Sequence, residues 1–343
     1  MFGHGHATRW RGLCRALAAR GHRVWFFERA APSSTVHRGP TALALYPAWE
    51  DVLPFATRTL ADADAAIVTS SCADGFAASR LVLSSSSAVR VFYDLGTPGC
   101  LRGDGLGGFD VVLSDTGGRA LEDLKSRWGA RIAVPLYSSV DPLVHRPRRP
   151  LASFRSDLSY VGTFARDRQR ALEELFVGAA RRQPRRKFIL AGEQYPPGFL
   201  GQDNIFHFDR LPPSRHPALY SSSRLTLNVT RGPRASIGFC PSARLFEAAA
   251  CGVPLVSDRW EGMDQFFTPG SEILLASTAE EMLQAMELSD RELRQIAEAA
   301  RERTLQEHTA ERRAEELERI LEVAATATRS APVTTEAPFA ADL

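Results

Sequence analysis

Residues 238–276 read GFCPSARLFEAAACGVPLVSDRWEGMDQFFTPGSEILLA. Gly238 to Pro241 open the stretch as a loop, and Ser242 is a residue suited to cap a helix. Arg244 to Cys251 is a run of good helix formers, with Leu245, Phe246 and Ala249 spaced to face inward and Glu247 outward. Gly252 stops that helix, and Pro254 stands where no helix continues. Leu255 to Asp258 then reads as a short apolar strand with a polar end, Trp260 to Gly262 as a loop, and Ile273 to Leu275 as a second strand. This order puts Ser242, Arg244, Glu247, Asp258 and the 260–264 loop near the strand ends of an open α/β sheet. Ligands of such sheets lie outside the carboxyl ends of the strands. A helix start offers free N–H groups and a partial positive charge to a phosphate, and a carboxylate one turn further in accepts the paired hydroxyls of a ribose. The chemistry is that of a nucleotide-diphosphate site, although any α/β protein also carries capped helices with charged outer faces.

The chain around this stretch is 343 residues long, which calls for two domains rather than one. Its 44% hydrophobic and 24% charged residues are those of a globular protein with ample core. A formal net charge of +2 gives no reason to expect nucleic acid or an anionic membrane surface as partner. Cys14, Cys72, Cys100, Cys240 and Cys251 are scattered and form no C-x-x-C pair, a pattern expected of reduced thiols in a cytoplasmic protein. No apolar run approaches the roughly 20 residues that span a bilayer. His4, His6, Arg9 and Arg11 break up any apolar core of a signal peptide.

Short apolar strands alternate with helical stretches along the first half, the βαβ pattern of a parallel sheet. Met1 to Thr8 is glycine-rich and reads as a turn leading into a helix from Ala7 to Arg20, with Leu13, Ala16 and Leu17 on its apolar face. Strands are expected at Arg23 to Phe27, Thr41 to Tyr46, Ala65 to Thr69, Val89 to Tyr93, Phe109 to Leu113 and Arg131 to Pro135. Helices are expected at Asp51 to Leu60, Phe76 to Leu83 and Gly118 to Trp128, with loops at Leu95 to Gly99 and Gly103 to Gly108. A turn–helix–strand opening normally follows a strand, so the first sheet is expected to lack its central strand, either because the start is placed too late or because the protein is trimmed. Leu136 to Pro150 is polar and proline-rich and reads as an interdomain linker.

The alternation then restarts: strands at Leu158 to Val161, Lys187 to Leu190, Asn204 to Phe206 and Leu225 to Val229, helices at Asp167 to Arg181 and Pro217 to Ser221. Beyond the opening stretch, helices are expected at Ala279 to Leu288, Asp290 to Glu307 and from Thr309 to about Val323. Ala324 to Leu343 has the composition of a disordered tail.

Several constellations carry chemistry. Gly162, Thr163, Arg166 and Arg168 lie between a strand and a helix, where a backbone turn and guanidinium groups suit a diphosphate; surface arginines at a helix start are the plainer reading. Asp258, Glu261, Gly262 and Asp264 offer carboxylates and backbone N–H groups to sugar hydroxyls, and Thr230 and Arg231 close the strand beside them. His6 is the candidate base for an attacking hydroxyl, with Asp94 at a strand end to orient it or to contact the acceptor. Asp62-Ala63-Asp64 spells D-x-D but precedes a strand instead of following one. No zinc spacing, phosphate-binding G-x-x-x-x-G-K or nucleophile elbow is present.

RLFEAAACGVPLVSD resembles the donor-binding signature of GT-B glycosyltransferases. SYVGTFARDRQRALEELF, LTLNVTR and PSARLFEAAACGVPLVSDRWEGMDQFF together resemble the CgeB-like (spore-maturation-protein-like) family, from Gly3 to about Leu321. In that family a strand precedes an N-G-H-A-T turn, matched here by His4-Gly5-His6-Ala7-Thr8. The resemblance implies an α/β, GT-B architecture: a Rossmann-like acceptor domain over 1–148, a nucleotide-sugar domain over 149–308, a helix at 309–323 packing back on the first domain, and a tail at 324–343. It implies transfer of a sugar from a nucleotide-diphosphate donor to an acceptor hydroxyl, with neither metal nor cofactor. Glu247 takes the ribose hydroxyls, the Ser242/Arg244 turn and Arg166 or Arg168 the phosphates, and His6 activates the acceptor. The wider GT-B pattern Glu-x7-Glu departs here, because its first position is Phe239. Two other readings stay open: a nucleotide-sugar epimerase of the same fold, and a nucleotide-sugar-binding protein that has lost catalysis.

Overall fold

The computed structural model describes residues 4–29, 41–96, 105–196, 198–199 and 201–330, with side chains from 10 to 327. The first part runs α1 (His4–Ala19), β1 (Val24–Arg29), β2 (Thr41–Tyr46), α2 (Trp49–Ala61), β3 (Ala65–Thr69) and α3 (Gly75–Leu83). It continues through β4 (Val89–Asp94), β5 (Val111–Ser114), α4 (Arg119–Ser126) and β6 (Ala133–Pro135). All ladders are parallel, as strands joined through helices require. They fall into two pieces: β1 pairs with β2, while β3, β4, β5 and β6 follow one another in a four-stranded sheet. Among the described residues no ladder joins the pieces. Trp10 of α1 bridges them, its ring 5.7 Å from that of Phe26 on β1 and 5.6 Å from that of Tyr93 on β4. Asp74 adds a second tie by accepting from Arg29 and from Tyr46, each at 3.0 Å.

The second part runs β7 (Ser156–Val161), α5 (Arg166–Leu172), one π-helical turn (Glu173–Val177), α6 (Gly178–Arg182), β8 (Phe188–Ala191) and β9 (Ile205–Phe208). Then come α7 (His216–Tyr220), β10 (Ser223–Asn228), α8 (Gly232–Ile237), α9 (Ala243–Ala250), β11 (Leu255–Ser257) and β12 (Leu274–Leu275). The chain closes with α10 (Ala279–Glu287), α11 (Asp290–Glu307) and α12 (Ala310–Ser330). The six parallel strands lie in the order β12-β11-β10-β7-β8-β9. Counted within this domain that is the order of a Rossmann sheet, whose direction of winding reverses between its first and fourth strands. Here those strands are β7 and β10. Their inner residues are almost wholly buried, as in a parallel sheet covered on both faces.

Two apolar layers sandwich this sheet. Leu158, Tyr160, Phe176, Phe188 and Leu225 fill one side; Phe246, Phe266, Phe267, Ile189 and Leu219 fill the other. Helix α12 returns to the first domain, where Ala310, Ala314 and Leu317 pack with Leu13, Ala16 and Val91. Arg20 and His22 both bond Glu318 on it, at 2.6 and 2.7 Å.

Several expectations need correction. Helix α1 starts at His4, so the region read as a glycine-rich turn is already helical there; Met1 to Gly3 lie outside the described residues. Gly232 and Pro233, to which the sequence reading assigned no element, begin α8, because proline is at ease in the first turn of a helix. Helix α12 continues through Ala324 to Ser330, since Ala324 is buried against the first domain and extends the apolar face. Only the remainder of the expected tail, 331–343, falls outside the described residues, as does most of the loop expected around Leu95 to Gly99. Within the stretch read as a linker, Leu136, Ser138, Val140, Asp141 and His145 are all buried, and Val140 forms a bridge with Thr309.

Candidate active site

The switch in winding brings the ends of β7 and β10 side by side, and most of the residues singled out from the sequence lie there. Gly162 follows β7 and approaches the chain around it closely. A Cβ at this position would stand 2.6 Å from both a guanidinium nitrogen of Arg244 and the Tyr160 hydroxyl. Its N–H donates to Ala191 at 2.9 Å, and Tyr195 Oη donates to its carbonyl at 2.8 Å. Arg244, in the first turn of α9, donates to the carbonyl of Val161 at 2.7 Å. Thr163 is exposed, and its carbonyl accepts from Arg168. Arg166 is exposed at the start of α5.

Arg168 differs from an ordinary surface arginine. It is only 8% exposed, and its Nε has no hydrogen-bond partner among the described residues. Burial depresses its pKa, and the charges of Arg244 and Arg231 push in the same direction. Among the described residues no carboxylate is bonded to it; the nearby Asp167 bonds Arg231 Nε at 2.8 Å instead. Burying a cation without a counter-ion is costly, and an anion arriving here would relieve the cost.

The end of β10 is held by a polar network. Asp258 accepts from the Thr230 N–H at 3.0 Å, the Thr230 hydroxyl at 3.0 Å and the Ser257 hydroxyl at 3.2 Å. Burial raises its pKa, the hydrogen bonds opposing the shift. Ser242 stands at the N-cap position of α9 but does not cap it; its hydroxyl donates to Asn228 Oδ1 at 2.8 Å. Asn228 passes the network on to Ser257 at 3.1 Å. The amides of the first turn of α9 are therefore left uncapped by Ser242. A groove of about 950 Å³ runs past Asp258, Thr230, Arg168 and Asp167 and on along the π-helical turn towards Arg182.

Glu247 lies one turn along α9 from Arg244 and turns to the linker. It borders a cavity of about 10 Å³ with Ser139, Asp141 and His145, room for one water and not for a ribose. His145 is buried there with Nδ1 unpartnered. His216 is close enough to feel the Glu247 carboxylate, but burial dominates and keeps its pKa below the usual value. Glu261, Gly262 and Asp264 form a loop whose two acidic side chains are exposed.

Across from this site, Asp94 and Asp115 stand buried at the ends of β4 and β5. Asp94 accepts from the Gly96 N–H at 3.1 Å. Arg234 of α8 reaches over from the second domain and donates to Asp115 Oδ1 at 3.1 Å. Burial works against the charge of Arg234, yet Asp115, with a contribution from Asp94, raises its pKa overall. His6 is in the first turn of α1, and its side chain lies outside the described residues. Trp10, one turn on, packs against Tyr93 beside Asp94. Among the described residues no three His, Cys, Asp or Glu side chains are grouped as a metal set, the Asp62–Asp64 pair included.

The structure thus gathers Gly162, Arg168, Thr230, Asp258 and Arg244 around the switch point, ties Arg231 to Asp167, and sets Glu247 apart on the linker side. It also brings forward Arg234, Asp115, His145, His216 and Phe239, none of which the sequence singled out as site residues. Arg234 and Asp115 lie far apart in the chain, and no local pattern links them; only the glycines at 117, 118, 238 and 262 hint at close approaches.

Residues 168–319 match the family described as Glycosyl transferase-like. No curated protein matches the sequence. Among solved structures, a sucrose-phosphate synthase from Thermosynechococcus elongatus superposes with a TM-score of 0.66 at 15% identity, covering 94% of each chain. The trehalose-6-phosphate synthase OtsA gives 0.65 at 12% identity over 93% of this chain and 94% of its own. An alpha-glucosyltransferase in complex with UDP gives 0.65 at 13% identity over 93% and 96%. No helix among the described residues is long and apolar enough to cross a membrane. The chain has the GT-B fold, with two Rossmann-like domains, as these structures do, and its residues 168–319 match the glycosyl transferase-like family model.

Proposed function

We propose that this protein is a glycosyltransferase of the CgeB-like kind that moves a hexosyl group from a nucleotide-diphosphate sugar to an acceptor hydroxyl. The observation that carries the reading is Arg168: a buried guanidinium with an unpartnered Nε, no carboxylate, and a place at the winding switch beside Gly162 and Thr163. That is where an open parallel sheet binds ligands, and a pyrophosphate supplies the missing negative charge. Two of the similar structures bear UDP, one an alpha-glucosyltransferase and the other HepE of Anabaena, with UDP and glucose.

In this reading the diphosphate lies between the Gly162–Thr163 turn and the first turn of α9, whose free amides Ser242 leaves available. Arg168 and Arg166, with Arg231 and Arg244 nearby, stabilise the charge that develops on the leaving diphosphate, so no metal has to do so. Glu247 takes the ribose hydroxyls once linker side chains withdraw from its small cavity. Thr230, Asp258, Glu261, Gly262 and Asp264 border the sugar. The acceptor enters from the first domain, where His6 takes the proton of the attacking hydroxyl and Asp94 orients it.

The test is release of nucleoside diphosphate from a panel of nucleotide sugars, with and without cell-extract acceptors. Acceptor-dependent release supports transfer. Isomerised donor without acceptor would point to an epimerase. The break in the first sheet favours one alternative, a nucleotide-sugar-binding protein without catalysis; binding with no release under any condition would establish it.

A further inference from the structure

Phe239 has a backbone that a bulky residue seldom adopts. Its φ is +45°, between Gly238 at +77° and the Cys240–Pro241 pair that leads into α9. For a residue with a large side chain such a conformation is strained, and it persists only where the surroundings enforce it. The surroundings here come from both domains. The Phe239 carbonyl accepts from the N–H of Gly117 in the first domain at 2.9 Å, and its own N–H donates to the carbonyl of Glu261 in the second at 2.7 Å.

The ring lies in a socket made of glycine. A Cβ on Gly118 would stand 2.5 Å from its Cδ2, and one on Gly262 would come closer still to the opposite edge. Gly118 and Gly262 have φ of +56° and +81°. Phe239 is not packed within either apolar layer of the second domain, and it is only partly buried. On the far side the domains are joined by the Val140–Thr309 bridge and by α12. On the cleft side the described ties are this ring, the bond from the Gly117 N–H to the Phe239 carbonyl and the Arg234–Asp115 pair.

We propose that Phe239 is the catch that holds the cleft shut, and that it leaves its glycine socket when the two domains part to exchange nucleotide. The strain at its φ is sustained by the socket while the cleft is closed and is released on opening, so the catch has two arrangements. The nucleotide clause rests on the donor site proposed above; the catch itself does not. Phe239 acts through domain position and not by touching the reacting atoms.

The experiment is small-angle scattering on the full chain without nucleotide, for the wild type, Phe239→Ala and Phe239→Leu, alongside their thermal unfolding and UDP release rates. Phe239→Ala should shift the radius of gyration to a larger value with its unfolding transition still cooperative, and Phe239→Leu should fall between the two. UDP should leave Phe239→Ala about tenfold faster, since loss of interface contacts is expressed chiefly in dissociation. An unchanged radius in Phe239→Ala would overturn the proposal, because the ring would then be mere filling. If Phe239→Ala does not fold, the same comparison with Phe239→Leu decides. Should the radius grow while neither protein binds UDP, the catch stands and the UDP site falls.

Discussion

Replacing Arg168 by methionine separates a binding role from a structural one, because the two predict opposite signs. The side chain is 8% exposed, donates to the carbonyl of Thr163, leaves Nε unpartnered and has no carboxylate beside it. Thr163 is exposed, so water replaces the donor that its carbonyl loses. Methionine fills a similar volume without a charge to desolvate, and swaps of that kind at poorly compensated buried charges are neutral to stabilising. Urea unfolding of Arg168→Met should therefore give a free energy equal to the wild type or up to about 1 kcal/mol higher. A hydrogen bond to a charged group is worth about 1.5–3 kcal/mol, so UDP affinity by calorimetry should fall about ten- to 150-fold. A protein clearly less stable than the wild type with unchanged UDP affinity would refute the reasoning. Arg168 would then be a packing residue and the proposed diphosphate site would lose its main support.

Other perturbations follow from the same geometry. Gly162→Ala places a methyl 2.6 Å from Arg244 and Tyr160, and overpacking of that kind should cost about 1–3 kcal/mol in urea unfolding, with weaker UDP binding alongside; unchanged stability would show that the turn has slack. Glu247→Ala should weaken UDP binding about tenfold through the lost ribose bonds, while full affinity would confine Glu247 to the linker cavity. His308 is buried against Phe246, its ring 4.4 Å away, with its pKa pushed down from 6.5 to about 3, mainly by burial and further by Arg313. The unfolded chain therefore binds the extra proton between pH 6.5 and about 3, so stability should drop as the pH is lowered through that window and level off below it. His308→Phe should flatten that part of the pH profile, and an unaltered profile would assign the loss to other groups.

The architecture was legible because its signals are local. Parallel strands buried on both faces read as short apolar runs, so β4, β5, β8 and β10 were placed from sequence within a residue or two. Gly252 and Pro254 fixed the end of α9. What escaped the sequence depends on contacts between distant segments. The hydroxyl of Ser242 could have capped its own helix; only the fold shows Asn228 within 2.8 Å to claim it. Arg166 and Arg168 look alike in sequence, two residues apart, and only packing of α5 buries one and leaves the other in water. Phe239 carries no apolar period, since its partners are glycines from two other places in the chain, 117–118 and 262. The six residues of α8 are too few for a periodic pattern, and their opening Gly-Pro imitates a loop.

The central claim is that a nucleotide-diphosphate sugar binds at the winding switch between β7 and β10, with its pyrophosphate against Arg168. A crystal structure of the full chain grown with UDP tests it most directly. The account predicts phosphate oxygens within hydrogen-bond distance of the Arg168 guanidinium and the Gly162–Thr163 turn, at the start of α9. UDP lodged elsewhere, with Arg168 still unpartnered, would contradict it.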